Sequence, residues 1–226
     1  MRSLPLPLAL TARLTPVAVL ACAGWAMASG PDKTSTTASG DTSAQQTAGQ
    51  SASDAPSSAA TSTGAVKTYA GAPAPCGSIP VATIKSLVPG AKTAGKEIPS
   101  TDTKLRRTCS WNALKGYDYR WLDVSFEIMD TDAAAAKEYK DRVAEKSGGG
   151  AVPGLGDSGY SVVNLTTEDK QQTREGVVMA QVSNALVVVT YNGSDFENKK
   201  APSTDEINKG AIKAAKSAVT ALKGSR

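Results

Sequence analysis

From Ser29 to Pro75 the chain is built almost wholly of Ser, Thr, Ala, Gly, Pro, Gln and Asp. It has no Ile, Leu, Phe or Trp there, and Val66 and Tyr69 are its only large apolar groups. Such a stretch cannot bury enough apolar surface to offset the entropy lost on ordering it. Folding is therefore confined to the residues from Cys76 onward, about 150 in number, a common size for one domain. The tether before it is expected to behave as a flexible coil with an r.m.s. reach of roughly 35–40 Å.

The N-terminus reads as a targeting segment, so residues 1–28 are assigned to a signal peptide. Arg2 and Arg13 supply positive charge, and Leu14 to Ala28 then runs without a charged residue. At about 15 residues this run is short for a bilayer span, which needs roughly 20. Two processing sites compete. Val19-Leu20-Ala21-Cys22 has the form of a lipobox, with Cys22 as the residue that takes the lipid, although Leu20 is larger than the residue usual there. Ala26-Met27-Ala28 fits the small-x-small rule of ordinary signal peptidase. The protein is expected either on the outer face of the cell membrane, held by a lipid on Cys22, or secreted into the cell wall.

Of the three cysteines, Cys22 falls in the signal region. Cys76 and Cys109 remain, an even pair in an exported chain, where disulfides persist. Two cysteines and no histidine make no zinc site, so no metal or other cofactor is expected. The 25 Lys and Arg stand against 21 Asp and Glu, a net charge of +4, which is too balanced for nucleic-acid binding. The short basic cluster Lys104, Arg106 and Arg107 reads as a solvated strand end.

Periodicity gives an ordered set of elements. A helix from Pro80 to Val88 places Val81, Ile84, Leu87 and Val88 on one face, with Ser78 or Ile79 at its cap, and Pro89-Gly90 stops it. Thr108 to Trp111 is a short strand. Tyr119 to Met129 is a longer one, whose Leu122, Val124, Phe126 and Ile128 alternate with polar residues. A helix from Asp132 to Lys146 has Ala136, Tyr139 and Val143 as its buried stripe. After the irregular turn Ala151 to Asp157 comes a strand from Gly159 to Leu165, then a polar loop from Thr166 to Arg174. Val177 to Val182 and Ala185 to Tyr191 form a hairpin about Ser183-Asn184, where Asn tolerates positive φ. Their nearly continuous apolar runs fit strands covered on both faces. A last helix runs from Thr204 to Lys223, with Ser203 and Glu206 at capping-box spacing. This order predicts an α+β domain over 76–226: about five or six antiparallel strands, three helices packed on both faces, and one disulfide.

Several of these pieces fall in a known arrangement. Pro75-Cys76-Gly77 precedes a short helix ending Leu87-Val88-Pro89-Gly90. Cys109-Ser110-Trp111, Tyr119-Arg120-Trp121-Leu122-Asp123-Val124 and Val152-Pro153-Gly154-Leu155-Gly156-Asp157 follow. The set resembles the actinobacterial lipoprotein family called domain of unknown function 3558. The resemblance covers most of Cys76 to Leu222, with the Cys…Cys-x-Trp pair its most specific part. It implies export, a lipid anchor and a Cys76–Cys109 bridge, and it implies no activity. The architecture is also similar, by analogy, to the Mog1/PsbP-like fold of other envelope lipoproteins.

The absence of histidine removes Ser-His-Asp and Cys-His triads. No nucleophile elbow, P-loop or dinucleotide fingerprint is present. The available carboxylate pairs, Asp118 with Asp123 and Glu168 with Asp169, read as solvated surface, and no catalytic residue is assigned. The Gly154-Leu155-Gly156-Asp157 turn could cradle an anion, but tight entry into a strand explains it more simply. Trp111, Tyr117, Tyr119 and Trp121 hold much of a scant aromatic content. Tyr119 and Trp121 point away from the apolar face of their strand. They are core, or packing for the disulfide, if a helix covers that side, and a surface for a ligand or partner if it is open; the first is the expectation. These readings make the protein a non-catalytic envelope protein that binds an unidentified ligand. The alternative is a protein-interacting subunit of an envelope complex or signalling system.

Overall fold

A computed structural model of the chain describes residues 67–226. The signal segment 1–28, Cys22 and the tether as far as residue 66 lie outside the described residues.

One antiparallel sheet organises the domain. Its strands are β1 (Lys96–Ile98), β2 (Arg106–Lys115), β3 (Asp118–Ile128), β4 (Gly150–Ala151), β5 (Ser158–Glu168), β6 (Gln171–Val182) and β7 (Ala185–Asp195), in the spatial order β1-β2-β3-β7-β6-β5-β4. The helices are α1 (Val81–Leu87), α2 (Asp132–Ala144) and α3 (Thr204–Lys223). The α+β class, the helix count and the antiparallel pairing are as the periodicity predicts. Among the described residues the strand count is seven rather than five or six. The two additions, β1 and β4, are three and two residues long, too short to carry a period-2 pattern.

The central strand β7 lies between β3 and β6, which accounts for its unbroken apolar run. Ala185, Val187, Val189 and Tyr191 join the main core with Leu122, Val124 and Phe126 of β3 and with Val178, Ala180 and Val182 of β6. Onto this face α3 lays Ile207, Ala211, Ala214, Ala218 and Leu222, all fully buried. Val188 and Met179 face the other way, into a smaller cluster with Tyr160, Val162 and the α2 residues Tyr139 and Val143. Helices therefore cover both faces, α1 and α3 on one and α2 on the other.

Four local expectations are corrected. Thr166 to Arg174 is not a loop: β5 and β6 run on to pair as far as Glu168 and Gln171. The turn between them holds Asp169 and Lys170 at φ 49° and 67°, the type I′ arrangement that twists with the strands. The segment is polar because the hairpin end is solvated, not because it is irregular. In the β6–β7 turn, Ser183 takes the positive φ of 51° and Asn184 does not. In the first helix, Pro80 occupies the cap position while the Ser78 hydroxyl donates to the Pro75 carbonyl at 2.6 Å. Ile84 and Leu87 are buried as expected, but Val81 is 51% exposed, because the helix is only two turns long and its first residue lies beyond the core.

The fourth correction moves the domain boundary. The tether was expected to run to Pro75, yet Tyr69, Ala72 and Pro75 are buried. Asn184, with no exposed surface, holds this segment. Its Nδ2 donates to the carbonyls of Tyr69 and Met129, and its Oδ1 accepts from the Tyr69 backbone N–H, each at 2.9 Å. Arg226 Nε donates to the Tyr69 hydroxyl at 2.9 Å, with the guanidinium 5.0 Å above that ring. A lone aromatic in polar sequence docks here because a distant side chain satisfies its backbone.

A disulfide joins Cys76, in a short 3₁₀ turn (Pro75–Gly77), to Cys109 of β2 across 33 residues. Trp111 lies on the same face, buried, with its Nε1–H donating to the Thr93 carbonyl at 3.1 Å. Gly95 is pressed against both groups. A Cβ there would stand 2.6 Å from Cys109 Sγ and from Trp111 Nε1, and its φ of +66° also selects glycine.

Candidate functional site

Helix α2 crosses the β5–β6–β7 side of its face and leaves the β1–β2–β3 side open. Cross-strand register defines what the open half presents. Lys96, Ser110, Asp123 and Thr190 form one row across four strands, and Asn112, Trp121 and Asn192 form the next. Leu114, Tyr119 and Ser194 make a third, toward the β2–β3 turn.

The expectation that Tyr119 and Trp121 are core is therefore corrected: no helix among the described residues reaches them. Trp111, of opposite parity, is the cluster member that belongs to the core. Trp121 is 36% exposed, and its Nε1–H donates to Asp123 Oδ1 at 2.7 Å. Tyr119 meets it edge-on, with ring centroids 6.3 Å apart and planes at 88°. Phe196, just past β7, packs on the other side of Tyr119 at 6.0 Å. Its backbone N–H donates to the Tyr117 carbonyl at 2.9 Å, which ties the strand end to the β2–β3 turn. Tyr117 and Leu114 complete an exposed apolar patch. Phe196 and Leu114 carried no periodic signal of their own; the register of β2 with β3 brings Leu114 beside Tyr119, and that of β3 with β7 brings Phe196.

Beside Asp123 the face deepens into a cavity of about 510 Å³. The loop between β1 and β2 arches over it and contributes Ser100, Asp102 and Leu105, while Ile98, Thr108 and Asp123 form its floor and wall. Thr108 and Ser125 share a hydroxyl–hydroxyl hydrogen bond of 3.0 Å beneath it. Ser110, cross-strand from Asp123, has a buried hydroxyl with no hydrogen-bond partner among the described residues. Where α2 meets the open half, Arg142 clamps the buried Glu127 at 2.6 Å and Glu138 at 2.7 Å. Burial alone would lower the guanidinium's pKa, but its two carboxylate partners more than offset this and hold it above the ordinary value.

Asp118 and Asp123 do not come together. They sit five residues apart on β3 and so project to opposite faces. Asp118 is ion-paired to Arg120, which also bonds Glu206 at 2.8 Å. Burial raises the Asp118 pKa and the Arg120 charge opposes that rise. Ser203 caps α3 by accepting from the Glu206 N–H at 3.1 Å, while the Glu206 carboxylate is spent on Arg120 rather than on closing the capping box. Glu168 and Asp169 lie exposed at the β5–β6 tip. The basic cluster is dispersed as well. Arg107 is held bidentately by Glu97 at 2.6 and 2.8 Å, whereas its neighbour Arg106 faces the other way, 3.6 Å from Glu127.

The Gly154-Leu155-Gly156-Asp157 segment is a structural turn. Gly154 and Gly156 have φ of +73° and +68°, and Leu155 is buried. Asp157 accepts from the Ser183 N–H at 2.6 Å while its own N–H donates to Gln181 O at 2.8 Å, fastening the turn to the β6–β7 hairpin. A carboxylate at the focus of the turn opposes an anion.

Among the described residues no helix is long and apolar enough to cross a membrane. No protein-family model matches the chain, and no curated protein matches it. Among solved structures, it is similar to one from Bacteroides thetaiotaomicron at 8% identity and a TM-score of 0.26, covering 53% of this chain and 47% of that one. It is also similar to the extracellular domain of PknH from Mycobacterium tuberculosis at 11% identity and the same TM-score, covering 51% of this chain and 64% of that one. The chain thus spans less than two thirds of either, and superpositions this slight carry no inference about its function.

Proposed function

We propose that this is a non-enzymatic binding protein of the bacterial envelope, exported and held at the membrane by a lipid on Cys22, which presents the open half of its sheet to a ligand. The aromatic face carries this reading. A soluble domain rarely leaves several large apolar side chains side by side unless something covers them. Leu114, Tyr117, Tyr119, Trp121 and Phe196 lie together on a face flanked by a cavity. The disulfide supports an oxidising compartment. The resemblance to domain of unknown function 3558 and the analogy with Mog1/PsbP-like lipoproteins point to the same location. Neither carboxylate pair singled out in the sequence converges on a cleft; Asp102 and Asp123 do line one cavity, and the reading of binding rests on the aromatic face beside it.

Two experiments test it. Labelled palmitate should enter the wild type in its exporting host and not Cys22→Ser; equal labelling, or none in either, removes the anchor. The purified, unlipidated Cys22→Ser protein should co-sediment with isolated envelopes of its host, and Trp121→Ala in that background should release it; equal sedimentation of both removes the binding face.

A further inference from the structure

We infer that the open half of the sheet is a saccharide site, with Trp121 as its stacking platform and the Asp123 cavity as its hydrogen-bonding cleft. This rests on the binding role proposed above and names the ligand's chemical class. Trp121 is built to offer a ring face. Its N–H is satisfied by Asp123 at 2.7 Å, and Tyr119 braces it edge-on at 88° with Phe196 behind. The indole is fixed before any ligand arrives, so stacking on it costs little ordering entropy.

The carboxylate that fixes the ring is also a wall of the cavity, which makes platform and cleft continuous. At about 510 Å³ the cleft falls within the ~300–1,000 Å³ span of small-ligand sites. Its lining alternates short apolar and hydrogen-bonding groups. Ile98 and Leu105 lie among Ser100, Thr108, Asp102 and Asp123, and Arg106 stands at the edge. Donors and acceptors of both kinds are thus at hand.

The charges choose among ligand classes. Asp102 and Asp123 in the lining face Arg106, with Lys96 in the same cross-strand row as Asp123, so the site has no net field to attract a polyanion or a polycation. A nucleic acid needs a basic patch, and a lipid tail needs a mainly apolar pocket. A neutral molecule with C–H faces on one side and dense hydroxyls around its rim complements an indole beside a balanced polar cleft. That is the description of a neutral sugar chain.

The test is titration calorimetry of the purified full chain against the neutral tetrasaccharides of glucose, mannose and N-acetylglucosamine. Saturable binding of at least one is expected. Trp121→Ala and Asp123→Ala should each weaken it by about tenfold or more, as loss of a stacking or charged hydrogen-bond partner does. Trp121→Phe, which keeps a ring, should recover part of the loss, and Leu165→Ala, on β5 at the other side of the sheet, should change nothing. No binding of any of the three sugars, or Trp121→Ala binding as wild type does, overturns the inference. If the sugars fail while Trp121→Ala still releases the unlipidated Cys22→Ser protein from envelopes, the saccharide class falls and the binding face stands. If Trp121→Ala releases nothing, both fall.

Discussion

Asn184 shows how much one buried amide can decide. Its three hydrogen bonds join the entry segment at Tyr69, the end of β3 at Met129 and the β6–β7 turn. Asn184→Ala would leave buried backbone groups without partners, so a loss of about 2–3 kcal/mol is expected in urea unfolding. Tyr191 makes a second prediction. Its hydroxyl donates to the Leu87 carbonyl at 2.8 Å, and burial is the main cause that pushes its pKa from 10.0 up to about 12. Folding raises this pKa, so the unfolded phenol ionises first. The stabilisation is whole below pH 10 and drains away between pH 10 and 12, by a few kcal/mol at most. Tyr119 and Tyr139, also raised by burial, act in the same direction. The difference between wild type and Tyr191→Phe, measured as unfolding free energy across that window, isolates the one group: the wild type should lose stability more steeply. At this scale the sequence was only partly legible. The parity of β3 separated Trp121 from the apolar stripe, but whether that side was covered depended on where α2 crossed, and no residue in β3 encodes that. Asn184 was singled out for its backbone tolerance, whereas its side chain is what the fold uses.

Among the elements, α3 was legible to its ends, because a capping Ser203 and an uninterrupted apolar stripe fix it locally. Hairpin β5–β6 was not, because its distal half is polar on both sides and its turn, Asp169-Lys170, lacks the glycine or asparagine that usually marks type I′. The contact of α3 with the sheet rests on Gly210, where a Cβ would stand 2.6 Å from the Tyr191 ring. Two effects oppose each other in Gly210→Ala. Helix propensity favours alanine by about 1 kcal/mol, while overpacking costs about 1–3 kcal/mol. The ring is held by its own hydrogen bond and cannot retreat, so the variant should be net destabilised, seen as a lower thermal midpoint; an unchanged or higher midpoint would show that the helix shifts freely. The Cys76–Cys109 bridge ties the entry turn to β2, and closing its 33-residue loop is worth roughly 3–4 kcal/mol in the chain-entropy account. The double variant Cys76→Ser, Cys109→Ser should unfold at correspondingly lower urea, and thiol titration of the denatured, unreduced domain should find neither of these cysteines free.

For the whole molecule, composition placed the border between tether and domain at Pro75, and the folded part begins earlier, since 67–75 is anchored by contacts that lie far away in sequence. The domain is asymmetric. One face of its sheet is closed by α1, α3 and the disulfide, and among the described residues the other is closed only where α2 lies, which leaves Trp121, Tyr119 and the Asp123 cavity available to a ligand. Hydroxyl-radical footprinting of the protein on intact cells, set against the purified protein, tests this most directly. Trp121, Tyr117 and Phe196 should be oxidised in the purified protein and protected on cells, with Leu165 modified alike in both. Equal oxidation of Trp121 in the two states would contradict the account.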